Sequence, residues 1–251
     1  MPEGHLLHRY ADAMTADLGG RVVRASSPQG RFDASAVDGR ALLAVEAHGK
    51  HLLHRFDGAP PVHVHLGLRG LYLRYDDPAQ PPRGGTRLRL AGQAAAWDLI
   101  APTSCEVLDD DSVDRLLSRL GPDPLREDAD DAEAVRRLRA ARGPVGAAVL
   151  DQAVWAGVGN AWRAELLFLA RLDPATPASA VSEETAALLW RLTRELFALG
   201  RDAGQVVSDP SSPDERWVYK RETCRSCGAP VSTTEIGGRT SYACPVEQSP
   251  G

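Results

Sequence analysis

The first eighteen residues carry a helical stripe. Leu6, Leu7, Tyr10, Ala11, Met14 and Leu18 recur at spacings of three and four, which is the period of one helix face. Gly19-Gly20 then supplies a stop, so the spacing predicts a helix over residues 5–18. From residue 21 to about 107 the period shortens to two. Short alternating runs lie at Arg21 to Ala25, Ala41 to Ala47, His51 to Phe56, Val62 to Leu66, Leu71 to Tyr75, Thr86 to Leu90 and Ala94 to Leu99. The turn signals Asp38-Gly39, His48-Gly49, Asp57-Gly58 and Arg83-Gly84-Gly85 separate them. Short strands with frequent turns predict a β-sandwich or barrel.

Beyond Pro102 the helical period returns. The candidates are Ser112 to Arg119, Asp131 to Ala141, Val145 to Gln152, Asn160 to Ala170 and Ser182 to Leu199, interrupted at Gly121-Pro122-Asp123-Pro124 and Gly143-Pro144. Residues 203–215, rich in Ser, Pro and Asp, read as a mobile connector, and residues 216–248 as short strands around cysteines. No internal repeat is present.

Composition narrows this picture only a little. A chain of 251 residues with 43% hydrophobic content suits two or three small domains or one large one. No apolar run is long enough to span a membrane, and no basic segment followed by an apolar stretch opens the chain, so the expected address is the cytoplasm, with no membrane partner. The net charge of -5 and pI near 5.8 count against a nucleic-acid partner on average. The acidic residues concentrate in Asp109-Asp110-Asp111 and from Glu127 to Glu133, which leaves room for a local basic face. Two of the 29 basic residues are lysines, Lys50 and Lys220. Lys50 lies between Gly49 and His51, where a compact ammonium that can exchange protons is one explanation and chance survival another.

Four places carry chemistry. On removal of Met1, Pro2 bears a free secondary amine. An α-amino group titrates near ~8, and an amine nucleophile forms Schiff bases with carbonyl carbons. Glu3 sets a carboxyl group for proton transfer beside it. Met1-Pro2-Glu3 read alone also suits a plain helix start. Near the other end, Cys224 and Cys227 have the two-residue gap of a zinc knuckle, and Cys244 follows at ribbon spacing with Glu247 in the fourth ligand's place. Glutamate can bind zinc through oxygen, so three cysteines plus Glu247 is one reading and a metal-free hairpin the other. Cys105 stands apart as a small buried hydrophobe. Gly157-Val158-Gly159-Asn160 forms a tight turn with Asn160 as expected N-cap, or an anion site at a helix start. All seven histidines lie between His5 and His65; His63 and His65 share a strand face, which also permits a metal-hydrolase reading.

Taken in order, these segments resemble the formamidopyrimidine-DNA glycosylase/endonuclease VIII family, over essentially the whole chain. The resemblance rests on Met1-Pro2-Glu3-Gly4-His5, His48-Gly49-Lys50-His51-Leu52, His63 to Leu68, Gly121 to Leu125, Leu150 through Asn160 to Leu167, and Cys224 to Gln248. The opening residues look closest to actinobacterial endonuclease VIII-like proteins. The resemblance implies an α+β multidomain chain: an N-terminal β-sandwich domain with its helix over 1–120, a helix–two-turns–helix domain over 121–210 and a zinc-finger-like hairpin over 211–251. It implies a monomeric bifunctional glycosylase and abasic-site lyase acting on damaged double- or single-stranded DNA, with oxidised pyrimidines as substrates. Pro2 would be the nucleophile, Glu3 the proton-transfer group and Lys50 an assisting cation. Asn160, Arg239 and His65 would hold phosphates, Leu68 would fill the gap left by an extruded base, and Cys224, Cys227, Cys244 and Glu247 would hold Zn2+. The chain departs from the family at Glu247, in place of a cysteine, and at Arg69, where an aromatic residue is common. A relative that binds distorted DNA without cutting it is the alternative.

Overall fold

The computed structural model describes residues 2–248. The chain forms two compact units that divide between Leu117 and Ser118. The first begins with α1 (Gly4–Leu18), which buries Leu7, Ala11, Met14 and Leu18. Nine strands follow among its described residues: β1 (Arg21–Val22), β2 (Arg24–Ser26), β3 (Ala41–His48), β4 (His51–Phe56), β5 (Ala59–His65), β6 (Leu71–Tyr75), β7 (Thr86–Ala91), β8 (Ala96–Ile100) and β9 (Ser104–Val107). They make a five-stranded sheet ordered β1-β3-β4-β5-β9 and a four-stranded sheet ordered β2-β7-β8-β6. A single apolar core joins α1 with both, including Val45, Leu52 and Val64 from one sheet and Leu88, Leu90 and Leu99 from the other. The helix α2 (Asp110–Leu117) completes the unit.

Two differences from the sequence reading have clear causes. The run Arg21 to Ala25 is not one strand. Val23 is fully buried and donates to the Arg40 carbonyl at 2.9 Å. The chain changes sheet there, with β1 paired to β3 and β2 to β7. The strand β9 lies past the last run named as a strand candidate; it is recruited by β5, with Val64 opposite Cys105 and Val62 opposite Val107. Four residues are too few for a periodicity to declare itself.

The helix α1 is fixed to both sheets by polar contacts. Val45 presents its N–H and C=O to the side of β3 away from β4. The Thr15 hydroxyl accepts from the Val45 N–H at 2.9 Å and donates to its carbonyl at 3.3 Å. Asp17 accepts from Arg74 on β6 at 2.7 Å and from the Trp97 indole on β8 at 2.9 Å. The Arg74 guanidinium first, and the Trp97 N–H with it, hold the Asp17 carboxyl below its usual range against the cost of desolvation.

The second unit contains α3 (Asp131–Ala140), α4 (Val145–Ala148), α5 (Asn160–Leu169), α6 (Glu183–Ala203) and a hairpin of β10 (Ser232–Ile236) and β11 (Arg239–Ala243). Ser182 caps α6 by accepting from the Thr185 N–H. It runs to Ala203, four residues beyond the expected Leu199, and the left-handed Gly204 ends it. Trp155, Trp162, Leu189 and Phe197 anchor the core. The expected helix over Val145 to Gln152 stops at Ala148 because the next residues turn. The Gln152 side chain holds that turn, donating to the Leu150 and Val158 carbonyls at 2.8 and 3.0 Å and accepting from the Gly157 N–H at 2.9 Å. Residues 204–215 are a packed segment, not a loose connector: Val207 and Ser208 are buried, and Asp209 pairs with Arg225 at 2.8 Å. Apart from β10 and β11, residues 216–248 form turns and an isolated bridge between Thr223 and Pro230.

Replacing Thr15 with valine keeps the shape and removes both contacts to Val45. We expect a loss of about 1–3 kcal/mol, read from urea unfolding.

Candidate active site and finger

The first unit gathers its chemistry at one end. Gly20 donates to the Leu42 carbonyl and Thr15 binds Val45, so α1 runs antiparallel to β3. Eleven residues of helix from Thr15 back to Gly4 rise about 16 Å. Three residues of β3 from Val45 to His48 rise about 10 Å. The start of α1 therefore reaches beyond the end of β3 that carries the Gly49-Lys50 turn. Glu3 is the N-cap of α1, 3% exposed, yet its carboxylate does not cap the helix. Pro2 beside it is half-buried.

Lys50 sits in a two-residue hairpin between His48 and His51, with Gly49 at φ 58, as such tight turns require. His51 pairs across β4 and β5 with His65; their rings lie 5.0 Å apart. His51 Nδ1 meets His63 Nε2 at 2.9 Å, and His63 Nδ1 meets Glu106 at 3.2 Å. A carboxylate accepts, so His63 carries its proton on Nδ1 when neutral, and His51 donates to the remaining nitrogen. Burial first, then the neighbouring His63, His65, His48 and Lys50, push His51 down to about 3. Burial also lowers His65, with His63 and Lys50 adding to it. Lys50 thus stands beside neutral imidazoles. Fully buried His54, between the Val62 carbonyl and the Tyr72 hydroxyl, is lowered to about 4, chiefly by desolvation. Burial pushes the Cys105 thiol up to about 12, which keeps it unreactive.

Leu68 follows in the loop from β5 to β6 and is 63% exposed; Arg69 beside it is also exposed. The loop is rigidly specified. Gly67 has φ +67, and a Cβ there would fall 1.9 Å from Thr103 Oγ1. The Thr103 N–H in turn donates to the His65 carbonyl at 2.9 Å. The structure thus sets Pro2, Glu3, Lys50 and His65 at one end of the sandwich, with Leu68 on a loop leaving it.

In the second unit, Asn160 is not the N-cap of α5. Gly159 takes that position in extended conformation, and Asn160 is the first helical residue. Its amide donates to the Thr240 carbonyl at 2.9 Å and accepts from Arg163 at 2.5 Å. Arg163 was not singled out by its sequence context, and it organises this corner. Fully buried, it donates to the carbonyls of Ile236 at 2.8 Å, Thr240 at 2.8 Å and Arg239 at 3.4 Å. These carbonyls flank the Gly237-Gly238 turn, where both glycines have positive φ. Exposed Arg239 and half-buried Asn160 are thereby held side by side. Buried Glu165 grips the segment before the cysteines, accepting from the N–H groups of Trp217, Val218 and Tyr219 at 2.8, 3.0 and 2.9 Å. The sequence shows both charges, but their role follows from the structure: Ala161 to Phe168 are buried on every side, and charges inside such a helix need partners.

Cys224, Cys227 and Cys244 bring their sulfurs within 4.8 Å of one another, with 3.4 Å between Cys227 and Cys244. Four thiolates around tetrahedral zinc would sit about 3.8 Å apart, from Zn–S bonds near 2.3 Å, so the three sulfurs fit that ion. Glu247 does not join them. Its carboxylate accepts from Ser226 at 2.8 Å and pairs with Arg171. Among the described residues, the cysteines are the one group of three or more such side chains able to hold a metal. His51 and His63 spend nitrogens on each other and on Glu106, and His54 on the Val62 carbonyl and the Tyr72 hydroxyl. No helix is long and apolar enough to cross a membrane among the described residues.

Comparison with known proteins agrees with this architecture. Residues 1–99 match the formamidopyrimidine-DNA glycosylase N-terminal domain, and residues 120–209 match the formamidopyrimidine-DNA glycosylase H2TH domain. The fold and these two domains define a DNA glycosylase of the helix–two-turns–helix class. Endonuclease 8 1 of Mycobacterium tuberculosis is 41% identical over 99% of this chain and 100% of its own length. Formamidopyrimidine-DNA glycosylase of Thermus thermophilus is 33% identical over 87% of this chain and 86% of its own. The crystal structure of the MutM (Fpg) protein of the same organism superposes with a TM-score of 0.78 at 29% identity, covering all of both chains. Lactococcus lactis Fpg in complex with abasic-site DNA shares the fold, with a TM-score of 0.81 at 21% identity over 99% of this chain and 100% of its own. The chain belongs to the formamidopyrimidine-DNA glycosylase/endonuclease VIII family of base-excision-repair enzymes.

Arg163→Met should strand the hairpin carbonyls and cost about 3 kcal/mol or more, measured by denaturant unfolding. A pH effect follows from His51 and His54. Their folded values lie below the unfolded value near 6.5, so the stability they confer is complete above pH ~6.5 and is lost as pH falls towards about 4 and about 3. Unfolding free energy should decline below pH ~6.5 by up to about 1.4 kcal/mol per unit for each histidine. His54→Gln should flatten the profile.

Proposed function

We propose that this chain is a bifunctional DNA glycosylase and abasic-site lyase with oxidised pyrimidines as its preferred substrates. What supports the reading is the direction of α1, which carries Pro2 and Glu3 towards the end of β3 that bears the Lys50 turn, in a chain 41% identical to Endonuclease 8 1.

With Met1 removed, the Pro2 nitrogen attacks C1′ of the damaged nucleotide. The base leaves with the electrons of the glycosidic bond, and an iminium link forms. The iminium acts as an electron sink: loss of a 2′ proton allows elimination of the 3′ phosphate. Glu3 serves the proton transfers as a carboxyl group beside the nucleophile. Lys50 neutralises phosphate near the lesion, supported by His65. A base must leave the stack for this chemistry, and Leu68, an exposed apolar side chain on a specified loop, is suited to filling the gap. Arg239 and Asn160, held together through Arg163, offer donors to the flanking phosphates. The pyrimidine preference rests on the endonuclease VIII-like relative, and Zn2+ in the cysteine cluster would stiffen the finger that presents Arg239. His51 and His65, both lowered by burial, leave the Lys50 ammonium to meet the phosphate charge.

Borohydride should trap a covalent adduct on abasic-site DNA. Pro2→Gly should reduce it strongly while leaving the fold intact, and Lys50→Ala should slow it. A folded protein that binds this DNA and gives no adduct would mark a binding protein instead. A panel of defined lesions should show oxidised pyrimidines cleaved faster than oxidised purines; the reverse order would overturn the substrate assignment.

A further inference from the structure

The finger has one cysteine fewer than a four-thiolate site, and the side chain in its place is committed elsewhere. Glu247 keeps 14% of its side-chain surface and is held by Arg171 and Ser226. The next residue, Gln248, is 2% exposed. Its amide accepts from the Cys244 N–H at 2.9 Å and donates to the Leu172 carbonyl at 2.9 Å. Arg171 and Leu172 lie just past the end of α5. The tail after Cys244 is therefore fastened to α5 by an ion pair and a side-chain amide. A fourth thiolate would fasten such a tail to the metal.

Three sulfurs supply three corners of a tetrahedral set, and Glu247 is outside their group. A four-coordinate ion with three protein ligands keeps its last position for an outside donor. Cys227 is exposed while Cys224 and Cys244 are buried, so the cluster is reachable from solvent at one corner. We propose that a metal held by Cys224, Cys227 and Cys244 keeps an exchangeable fourth position that accepts a small exogenous thiol, with water there otherwise, and that Glu247 is a tail anchor and not a ligand. The exchange is a ligand substitution. The thiol gives its proton to solvent, its thiolate sulfur bonds the metal, water departs, and no electron moves. Soft sulfur donors suit a thiolate-bound zinc-type ion.

The test uses the full chain loaded with Co2+ and read by absorption, with no DNA present, so its result is independent of the glycosylase reading. The wild-type chain should bind one equivalent of cobalt. Its visible bands should shift saturably as 2-mercaptoethanol is added, with cobalt retained. Glu247→Gln should leave the starting spectrum unchanged, whereas Glu247→Cys should abolish the thiol response. A spectral change from Glu247→Gln alone, indifference of the wild-type spectrum to thiol, loss of cobalt to the thiol, or failure to take up cobalt would each overturn the proposal. The titration of the unaltered chain decides the question even where a variant does not fold.

Discussion

Two opposite charges inside one buried helix hold the C-terminal part of the chain in place. Arg163 and Glu165 are two residues apart in α5, so they project about 200° apart around its axis. One collects the carbonyls around the Gly237-Gly238 turn, and the other collects three successive N–H groups at Trp217 to Tyr219. Burying either charge without partners would cost several kcal/mol. Here each meets backbone dipoles of the opposite sense, and the backbone groups lose their own penalty in the same contacts. The small hairpin, too short for a core of its own, borrows its position from α5.

The first unit solves a related problem with a hydroxyl and a carboxylate. Thr15 answers both polar groups of Val45, and Asp17 reaches Arg74 and Trp97 on the opposite sheet. A helix held at two points near its C-terminal end has its start fixed in direction. That matters because the proposed nucleophile precedes the helix and has no side chain beyond its ring to steer it. The same economy appears at Lys50, whose hairpin is set by Gly49 and whose neighbours are imidazoles kept neutral by burial.

Much of this was legible in the chain because it depends on local period and local chemistry. The stripe from Leu6 to Leu18, the β-hairpin strands and the Gly-Gly turns announce themselves through spacing alone. The cysteines were readable as a cluster because metal ligands keep characteristic gaps. What escaped depended on partners distant in sequence. β9 is a strand because β5 offers an edge. Val23 divides a strand because two sheets compete for its neighbours. Asn160 gives up the capping position for a carbonyl eighty residues away, and Glu247 leaves the cysteines for Arg171. The buried charges of α5 were visible as letters, but their meaning required knowing that the helix has no exposed face.

The loop at Leu68 separates two kinds of constraint that usually travel together. Position 67 admits only a residue without a Cβ, since Thr103 occupies that space, while position 68 faces outward with few neighbours. The support is frozen and its tip is interchangeable. Evolution can therefore revise what this loop presents by single substitutions at 68 or 69 that cost the fold little.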